Sequence, residues 1–367
     1  MAYVVRKALK NGKSAYLVRF TNPSDGVTRS RQFARRKDAD TFASKIEVAR
    51  NDGTYVDPRG GRITMAAWWA RWWPTVTDLR PSTRSRDETC WTVHIEPRWG
   101  NVPLSRIDRT SAREWIAQLA NPDRARPLSA STVAKIVQVA SKPLRAAVDD
   151  RLIPANPFDR LKLPRVEREE MRFITETEVR AVADVIDPRY RPLVLLGAFG
   201  GLRIGEMLGL RWGNVDLLRR QVDVRETLVD VNGAITIGPP KTPASVRTVK
   251  VPAFVCEELA RLAVAPASPS DLVFTSPLGH PVQPRLFRQR YWRPAVVAAG
   301  LEGLRVHDLR HTAISLWIAD GANPKQVAVR AGHTSVSVVL DRYGHLYDGH
   351  DDELIAAQER RWRNVHG

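Results

Sequence analysis

The first part of the chain alternates apolar and polar residues in two short runs. Residues 15–20 (Ala-Tyr-Leu-Val-Arg-Phe) follow the period of a half-buried strand, and Asn11-Gly12 before them is a strong turn signal. Residues 28–33 predict the next strand, and residues 39–51 predict a helix. We therefore expect a small α+β module over residues 1–58.

Helical spacing replaces this alternation after a stretch rich in proline and glycine at 57–61. Four tryptophans form pairs at i, i+4, namely Trp68 with Trp72 and Trp69 with Trp73. Tryptophans could stack on bases or mark a membrane belt, but at helical spacing they more often indicate a core. An all-helical module is predicted over 62–165, with helices starting near 65, 81, 108 and 129.

The remainder of the chain, 171–367, combines helices with a few short strands. Thr175-Glu176-Thr177-Glu178 forms a capping box, which predicts a helix start. Short strands are predicted near 222–224, 234–237, 247–251 and 273–274. The expected fold class is multidomain: a small α+β N-terminal domain, an all-α domain, and a mainly α domain with a small antiparallel sheet.

Charge changes this picture by pointing to a polyanionic partner. The formal net charge of the 367 residues is +17, and the sequence pI is about 10.4. Residues 1–166 carry +15 of it, whereas residues 167–367 carry only +2. Nucleic acid or an anionic membrane would suit such a surplus, and a solvated basic surface is the alternative. The apolar stretches are too short to span a bilayer.

Cysteine use and the N-terminal residues favour a cytoplasmic protein. Cys90 and Cys256 lie far apart in sequence, so they fit neither a disulfide framework nor a metal site. The chain begins Met-Ala-Tyr-Val-Val-Arg-Lys, without the apolar region of a signal peptide. Arginine outnumbers lysine by 46 to 11, which indicates a GC-rich coding sequence.

Six chemically active residues follow one another in the C-terminal half. Their motifs are Gly-Gly-Leu-Arg203-Ile-Gly-Glu, Pro-Lys241-Thr-Pro, His307-Asp-Leu-Arg310-His-Thr, Ala-Gly-His333-Thr-Ser and Asp-Arg-Tyr343-Gly-His. The transition state of phosphodiester cleavage gathers charge on the non-bridging oxygens, which two guanidiniums can clamp bidentately. A lysine, two histidines and a tyrosine complete what strand exchange on a phosphodiester needs.

This ordered set resembles the tyrosine recombinases of the phage-integrase type, and the arginine content suggests an actinobacterial phage or prophage as the source. The resemblance implies that Arg203 and Arg310 clamp the phosphate. It also implies that Lys241 is the general acid for the leaving 5′-oxygen, for which burial near cations would suit its pKa. His307 would assist proton transfer and phosphate binding, and His333 would donate to a non-bridging oxygen, although Ala331 replaces the family's leucine.

Tyr343 would then be the nucleophile, giving a 3′-phosphotyrosine and a free 5′-hydroxyl without ATP or metal. Nearby cations are expected to favour its phenolate. Tyr347 is a competing candidate with the wrong spacing. Glu206, one helical turn from Arg203, could orient it or be an ordinary surface carboxylate. His311 lies at i+4 from His307, which could suggest zinc, but without the metalloprotease glutamate a structural role is favoured.

The resemblance divides the chain into an arm-type DNA-binding domain at 1–58, a helical core-binding domain at 62–165 and a catalytic domain with a C-terminal tail at 171–367. In the family the N-terminal sheet enters the major groove. Candidate DNA contacts, each of which could equally be a solvated surface residue, are Lys13, Arg19, Arg29, Arg31, Arg84, Arg86, Lys135 and Lys142.

The implied partners are double-stranded attachment-site DNA, a homotetramer on that DNA, a host DNA-bending factor and an excision directionality factor, with no cofactor, metal or membrane. The tail is expected to form a helix that docks on a neighbouring subunit, or packs on its own domain. Two other functions stay open: a type IB topoisomerase, which shares the catalytic set, and a non-catalytic DNA-binding regulator.

Overall fold

The computed structural model describes residues 2–8, 14–22, 26–53, 55–57, 59–166, 171–263, 268–347 and 351–366, without the side chains of 351–354, 365 and 366. The chain divides into two compact units, Met1–Arg168 and Glu169–Gly367. Each unit has its own buried clusters of apolar side chains, and each is described separately below.

The N-terminal unit begins with a three-stranded antiparallel sheet. The strands β1 (Tyr3–Ala8), β2 (Ser14–Thr21) and β3 (Thr28–Phe33) are hydrogen-bonded in that order, and α1 (Arg36–Asn51) packs on one face. The sheet is held to the helix by a small apolar cluster that includes Val18 and Phe20. Both predicted strands are present, and the helix begins three residues before its predicted start.

Five α-helices follow in this unit: α2 (Met65–Trp72), α3 (Pro81–Cys90), α4 (Glu96–Trp99), α5 (Arg109–Ala120) and α6 (Ala130–Asp149). A π-helical turn, Trp91–Ile95, joins α3 to α4. Trp69 stacks between Trp73, at 4.6 Å between ring centroids, and Trp91, at 4.3 Å. These rings are buried, which confirms that the tryptophans form a core.

The C-terminal unit is mainly helical. Its first helices are α7 (Glu176–Val185), which starts with the predicted capping box at Thr175, α8 (Arg191–Gly200) and α9 (Ile204–Leu208). Then come α10 (Ala253–Leu262), α11 (Pro284–Phe287), α12 (Arg293–Ala298), α13 (Val306–Ala319), α14 (Pro324–Ala331), α15 (Ser337–Tyr343) and α16 (Asp351–His366).

Two small antiparallel sheets interrupt these helices. One contains β4 (Val215–Asp216), β5 (Gln221–Val224) and β8 (Arg247–Lys250), and the other is a hairpin of β6 (Thr227–Val231) and β7 (Ala234–Gly238). The hairpin turns at Asn232 (φ +54°) and Gly233 (φ +88°), a left-handed pair of positions that favours asparagine followed by glycine. Strand β6 was not among the strands expected from the sequence, although Asn232-Gly233 is the same kind of turn signal as Asn11-Gly12.

The strand expected at 273–274 is not formed. Val273 and Phe274 are buried, but only isolated bridges flank them, between Leu272 and Arg211 and between Thr275 and Pro281. A short apolar run signals burial, and periodicity cannot separate a buried strand from a buried loop. Across the described segments, no helix has the length and apolar character needed to cross a bilayer.

Candidate active site

A left-handed turn positions the first arginine. Gly201 is the C-cap residue of helix α8. Its φ is +66°, and a Cβ there would come within 2.5 Å of the Trp317 ring. The turn leaves Arg203 as the N-cap residue of α9. Its Nη1 donates to Glu206 Oε1 at 2.7 Å, and its backbone N–H donates to Glu206 Oε2 at 2.9 Å. Glu206 therefore orients Arg203, as expected from their spacing.

The second arginine lies in α13 and is almost completely buried. The Arg310 side chain donates from Nη1 to the Gly201 carbonyl at 2.5 Å and from Nη2 to the Ala331 carbonyl. These carbonyls belong to the turns that precede Arg203 and His333, so Arg310 ties both turns together. Burial, and then the charge of Arg203, lower the pKa of Arg310 to about 9, which leaves it charged at neutral pH.

Both predicted histidines are neutral at pH 7. Desolvation is the main cause, and neighbouring positive groups add to it, so the pKa of His307 and that of His333 each fall to about 4. His333 follows Gly332, which ends α14 in the left-handed region at φ +65°. Among the described residues, the buried Nδ1 of His333 has no hydrogen-bond partner. An anionic oxygen bound in the cavity could therefore form a hydrogen bond with this nitrogen.

Five of the six predicted catalytic residues line one cavity of 440 Å³ in the C-terminal unit. Lys241 is on its exposed rim rather than buried as expected. It lies in the connection between β7 and β8, which belong to different sheets. The lining residues are Arg203, Glu206, Thr227, Val229, Pro240, Lys241, Thr242, Ser245, His307, Arg310, Gly332, His333, Thr334, Val338 and Arg342. Larger concavities along α1 and beside Trp317 lack this combination of cations and histidines.

Tyr343 is the sixth residue, and it does not line the cavity. It ends α15 and is 1% exposed, packed with Ile314 and Val339. Burial raises the pKa of Tyr343 and outweighs the opposite effect of Arg310 and Arg342. The nearby arginines act in the expected direction, towards the phenolate, but the burial of the hydroxyl has the larger effect in this conformation.

The alternative nucleophile is also outside the cavity lining. Tyr347 donates its hydroxyl to the Ala322 carbonyl at 3.3 Å, and burial raises its pKa. His311, assigned a structural role by the sequence, contacts Tyr343 directly: its Nδ1 lies 2.5 Å from the phenolic oxygen. Among the described residues, no group of three or more His, Cys, Asp or Glu is arranged to hold a metal ion.

Arg247 was not among the residues predicted from the sequence. It supports the site by pairing with Glu206, which in turn contacts Arg203. This arginine lies in β8 with its side chain 4% exposed, and its Nη2 contacts Glu206 Oε2 at 3.0 Å. Its other donors reach the Arg330 carbonyl at 2.7 Å and the Ser245 carbonyl at 3.1 Å. Burial alone would raise the pKa of Glu206, but Arg247 and Arg203 together hold that pKa below its usual value.

A period-two pattern could have identified Arg247. In β8 it alternates with exposed residues in step with Val249, so it occupies an inward position. An inward arginine needs a buried partner. Glu206 could have been proposed as that partner, because it was already placed beside Arg203.

In the N-terminal sheet, the described candidate DNA contacts lie on different faces. Arg19 is exposed and lies between Val18 and Phe20, which are buried towards α1, so its side chain is on the opposite face. Arg31 instead lies 4.8 Å from the Phe42 ring of α1, and Arg29 forms an ion pair with Asp57 with only 14% of its side chain exposed. A contact through the face away from α1 is thus open to Arg19 but not to Arg29 or Arg31. Lys13 lies outside the described residues.

The helical candidates fall into two groups. Arg86 and Lys142 both contact Asp87, which is fully buried, at 3.0 and 2.5 Å. Lys135 is close enough for Arg86 to help lower its pKa, after desolvation. These cations form one basic cluster. Arg84 is separate: it stacks on Trp73 at 4.7 Å and pairs with Glu88 at 3.3 Å.

Comparisons with known proteins agree with this architecture. The phage integrase family model matches residues 172–350. The prophage phiRv2 integrase of Mycobacterium tuberculosis is 29% identical over 296 residues, which cover 78% of this chain and 76% of that protein. The integrase of Mycobacterium phage D29 is 25% identical over 349 residues, 91% of each chain.

Solved structures show the same fold. The Tn1549 transposon integrase in complex with a circular intermediate DNA superposes with a TM-score of 0.69 at 20% identity, over 81% of this chain and 99% of that one. A lambda integrase dimer bound to a COC′ core site gives a TM-score of 0.60 at 15% identity, over 94% and 95%. Residues 172–350 of the C-terminal unit thus match the phage integrase family, and the fold is similar to that of solved integrases.

Proposed function

We propose that this protein is a site-specific DNA recombinase that integrates and excises phage or mobile-element DNA through a 3′-phosphotyrosine. The observation that carries the proposal is the cavity in which two arginines, two neutral histidines and a lysine converge, with Tyr343 packed beside it. This set offers positive charge and proton donors around a space large enough for a phosphodiester.

The chemistry follows from the positions of these groups. Arg203 is partly exposed and already oriented by Glu206, so it can bind a non-bridging oxygen without reorganisation. Arg310 is held from behind by two carbonyls and contributes a second fixed charge. As the Tyr343 oxygen attacks phosphorus, the bond to the 5′-oxygen breaks and Lys241 on the cavity rim supplies a proton to it.

The N-terminal unit is proposed to supply most of the DNA affinity. It carries nearly all of the net charge, and phosphate contacts by lysine and arginine dominate non-specific affinity. We assign arm-site binding to 1–58, through the face that carries Arg19, and core-site binding to 62–165, through the cluster of Arg86, Lys135 and Lys142. Attachment-site DNA in the host cytoplasm is the proposed substrate, with a host bending factor and an excision directionality factor as partners.

Assembly as a tetramer on DNA is also proposed, through the tail. Helix α16 exposes Ile355 and Trp362, with 48% and 67% of their surfaces accessible. A head-to-tail contact of this helix with a neighbouring subunit would close a ring. The lambda integrase has been solved as a tetramer bound to a Holliday junction.

Two assays test the proposal against its alternatives. Wild-type protein is incubated with duplexes of randomised core sequence that carry a nick, and covalent complexes are recovered under denaturing conditions and sequenced. A regulator would give no covalent complex, whereas a recombinase or a topoisomerase would. The selected sites are then placed on two plasmids: a recombinase joins them, and a topoisomerase relaxes each plasmid without joining.

A further inference from the structure

The proton on Tyr343 needs an acceptor before its oxygen can attack phosphorus. Burial keeps the phenol protonated, because it raises the pKa of Tyr343 more than Arg310 and Arg342 lower it. Lys241 cannot take this proton, since its role in the proposed reaction is to deliver one to the leaving 5′-oxygen. The proposed reaction therefore has no assigned acceptor for the phenolic proton of Tyr343.

His311 is in contact with that proton. Its Nδ1 lies 2.5 Å from the Tyr343 oxygen, and both side chains are buried. Because the phenol is the protonated partner, the hydroxyl is assigned as the donor and Nδ1 as the acceptor. The contact joins α13, which carries two cavity residues, to α15, which carries the nucleophile.

The surroundings of His311 favour the neutral imidazole that an acceptor must be. Desolvation lowers the pKa of His311, and Arg342, Arg305 and Arg310 add to this, while Asp308 opposes it. His307 packs edge-on against it, with ring centroids 4.7 Å apart, and His307 lines the cavity. Asp308 lies in the same helix as His311, and its carboxylate accepts hydrogen bonds from the backbone and the side chain of Arg305. His311 thus contacts His307, which lines the cavity proposed to bind the phosphate.

We propose that His311 is the general base of this site: it takes the phenolic proton of Tyr343 as the oxygen attacks phosphorus and returns it when the strand is rejoined. The inference rests on the proposed function. The O–H bond of Tyr343 breaks as an N–H bond forms at Nδ1. The phosphorus–oxygen bond to tyrosine forms as that to the 5′-oxygen breaks, and Lys241 protonates the latter. One proton is taken up and one released, so the step balances and reverses without a co-reactant.

The experiment uses the full chain and the core duplex selected by wild-type covalent capture. His311→Asn keeps an acceptor oxygen near the position of Nδ1 but cannot bind a proton. Single-turnover formation of the covalent complex should fall about a hundredfold in this variant, with DNA affinity unchanged. Tyr347→Phe is the matched control, because it removes another hydroxyl next to the same cluster and should leave the rate unchanged.

A substrate with sulfur in place of the bridging 5′-oxygen separates the two proton transfers. A thiolate leaves without an acid, so this duplex should restore cleavage by Lys241→Ala but not by His311→Asn. His311→Gln serves in the same role should the asparagine variant melt at a lower temperature than wild type by more than a few degrees. The sulfur substrate tests whether the lost proton belongs to the leaving group, and the melting temperature tests whether the variant has lost its fold.

Each outcome bears on the proposal. Equal or faster cleavage by a folded His311→Asn would overturn it, because His311 would then only hold the tyrosine in a resting position. Rescue of His311→Asn by the sulfur substrate would also overturn it, since the lost proton would belong to the leaving group. If wild-type protein forms no covalent complex at all, the proposed function fails and the inference fails with it.

Discussion

Replacing Arg247 with methionine should strongly lower the free energy of unfolding of the C-terminal unit, because Arg247 forms a buried ion pair with Glu206 beside the active site. The substitution leaves the Glu206 carboxylate, 3% exposed, without its buried partner at 3.0 Å. Removing one member of a buried pair typically costs about 3–5 kcal/mol. Arg203 still contacts Glu206 through its guanidinium and its backbone N–H, so the lower end, about 3 kcal/mol, is expected.

The effect should depend on pH in a defined direction. In the wild type, Arg247 and Arg203 hold the pKa of Glu206 below its ordinary 4.5 despite burial. Its ionised form therefore contributes stability above pH 4.5, and the contribution is lost as the pH falls through the lower folded-state pKa. Without Arg247 the pKa of Glu206 should rise. Glu206 is then protonated at a higher pH in the variant than in the wild type, and this protonation removes the unpaired buried charge. The gap between the two proteins should therefore narrow as the pH falls from 7.5 to 4.

Urea unfolding monitored by far-UV circular dichroism at pH 7.5 and at pH 4 measures this gap. Arg211→Met is the matched control: it breaks an ion pair with Glu226 that is about one-third exposed on both sides, and it should cost about 1 kcal/mol or less. Adding Glu206→Gln to Arg247→Met should recover part of the loss. Equal losses for the two methionine variants, or a gap that does not change with pH, would refute the reasoning.

Three further predictions concern the activity. Because guanidiniums and a lysine supply the positive charge in the cavity, covalent cleavage should proceed in excess EDTA, and loss of cleavage restored by zinc or magnesium would count against this. Deleting 1–58 should preserve core-site cleavage but abolish integration, as measured by gel shift and two-plasmid recombination, and full integration by the truncated protein would contradict the arm-site assignment. Truncation after Tyr347 should spare folding and DNA binding but impair tetramer assembly on paired sites, as measured by sedimentation. Normal assembly of the truncated protein would contradict the proposed role of the tail. Unfolding of the truncated protein would show that the tail packs on its own domain.

Local signals predicted most elements of the fold. The alternation at 15–20, the capping box at Thr175 and the helical spacing of the tryptophans each depend on residues close in sequence, and each gives the element that was expected. The apolar run at 273–274 misled because its burial is tertiary: the residues pack among helices without a partner strand. The domain boundaries and the DNA contacts stay predictions.

For the site, motif spacing could name the residues but not their contacts. Gly201 and Gly332 precede Arg203 and His333 because each turn requires a left-handed residue, and at Gly201 a Cβ would also meet the Trp317 ring; that much is visible as glycine in the sequence. The pairing of Arg247 with Glu206, 41 residues apart, and of His311 with Tyr343, 32 residues apart, depends on how β8, α9, α13 and α15 pack. The burial of Tyr343 has the same origin, which is why the spacing of the arginines alone did not predict the raised pKa of Tyr343.

The most direct test of the central claim is to identify the residue that becomes bound to DNA. Wild-type protein is trapped on the selected nicked duplex, digested with trypsin and nuclease, and the modified peptide is sequenced by mass spectrometry. The account predicts a 3′-phosphonucleotide on Tyr343 and no covalent complex from Tyr343→Phe, which should still bind the duplex with wild-type affinity. An adduct on Tyr347 or on any other residue, or a covalent complex that survives in Tyr343→Phe, would contradict it.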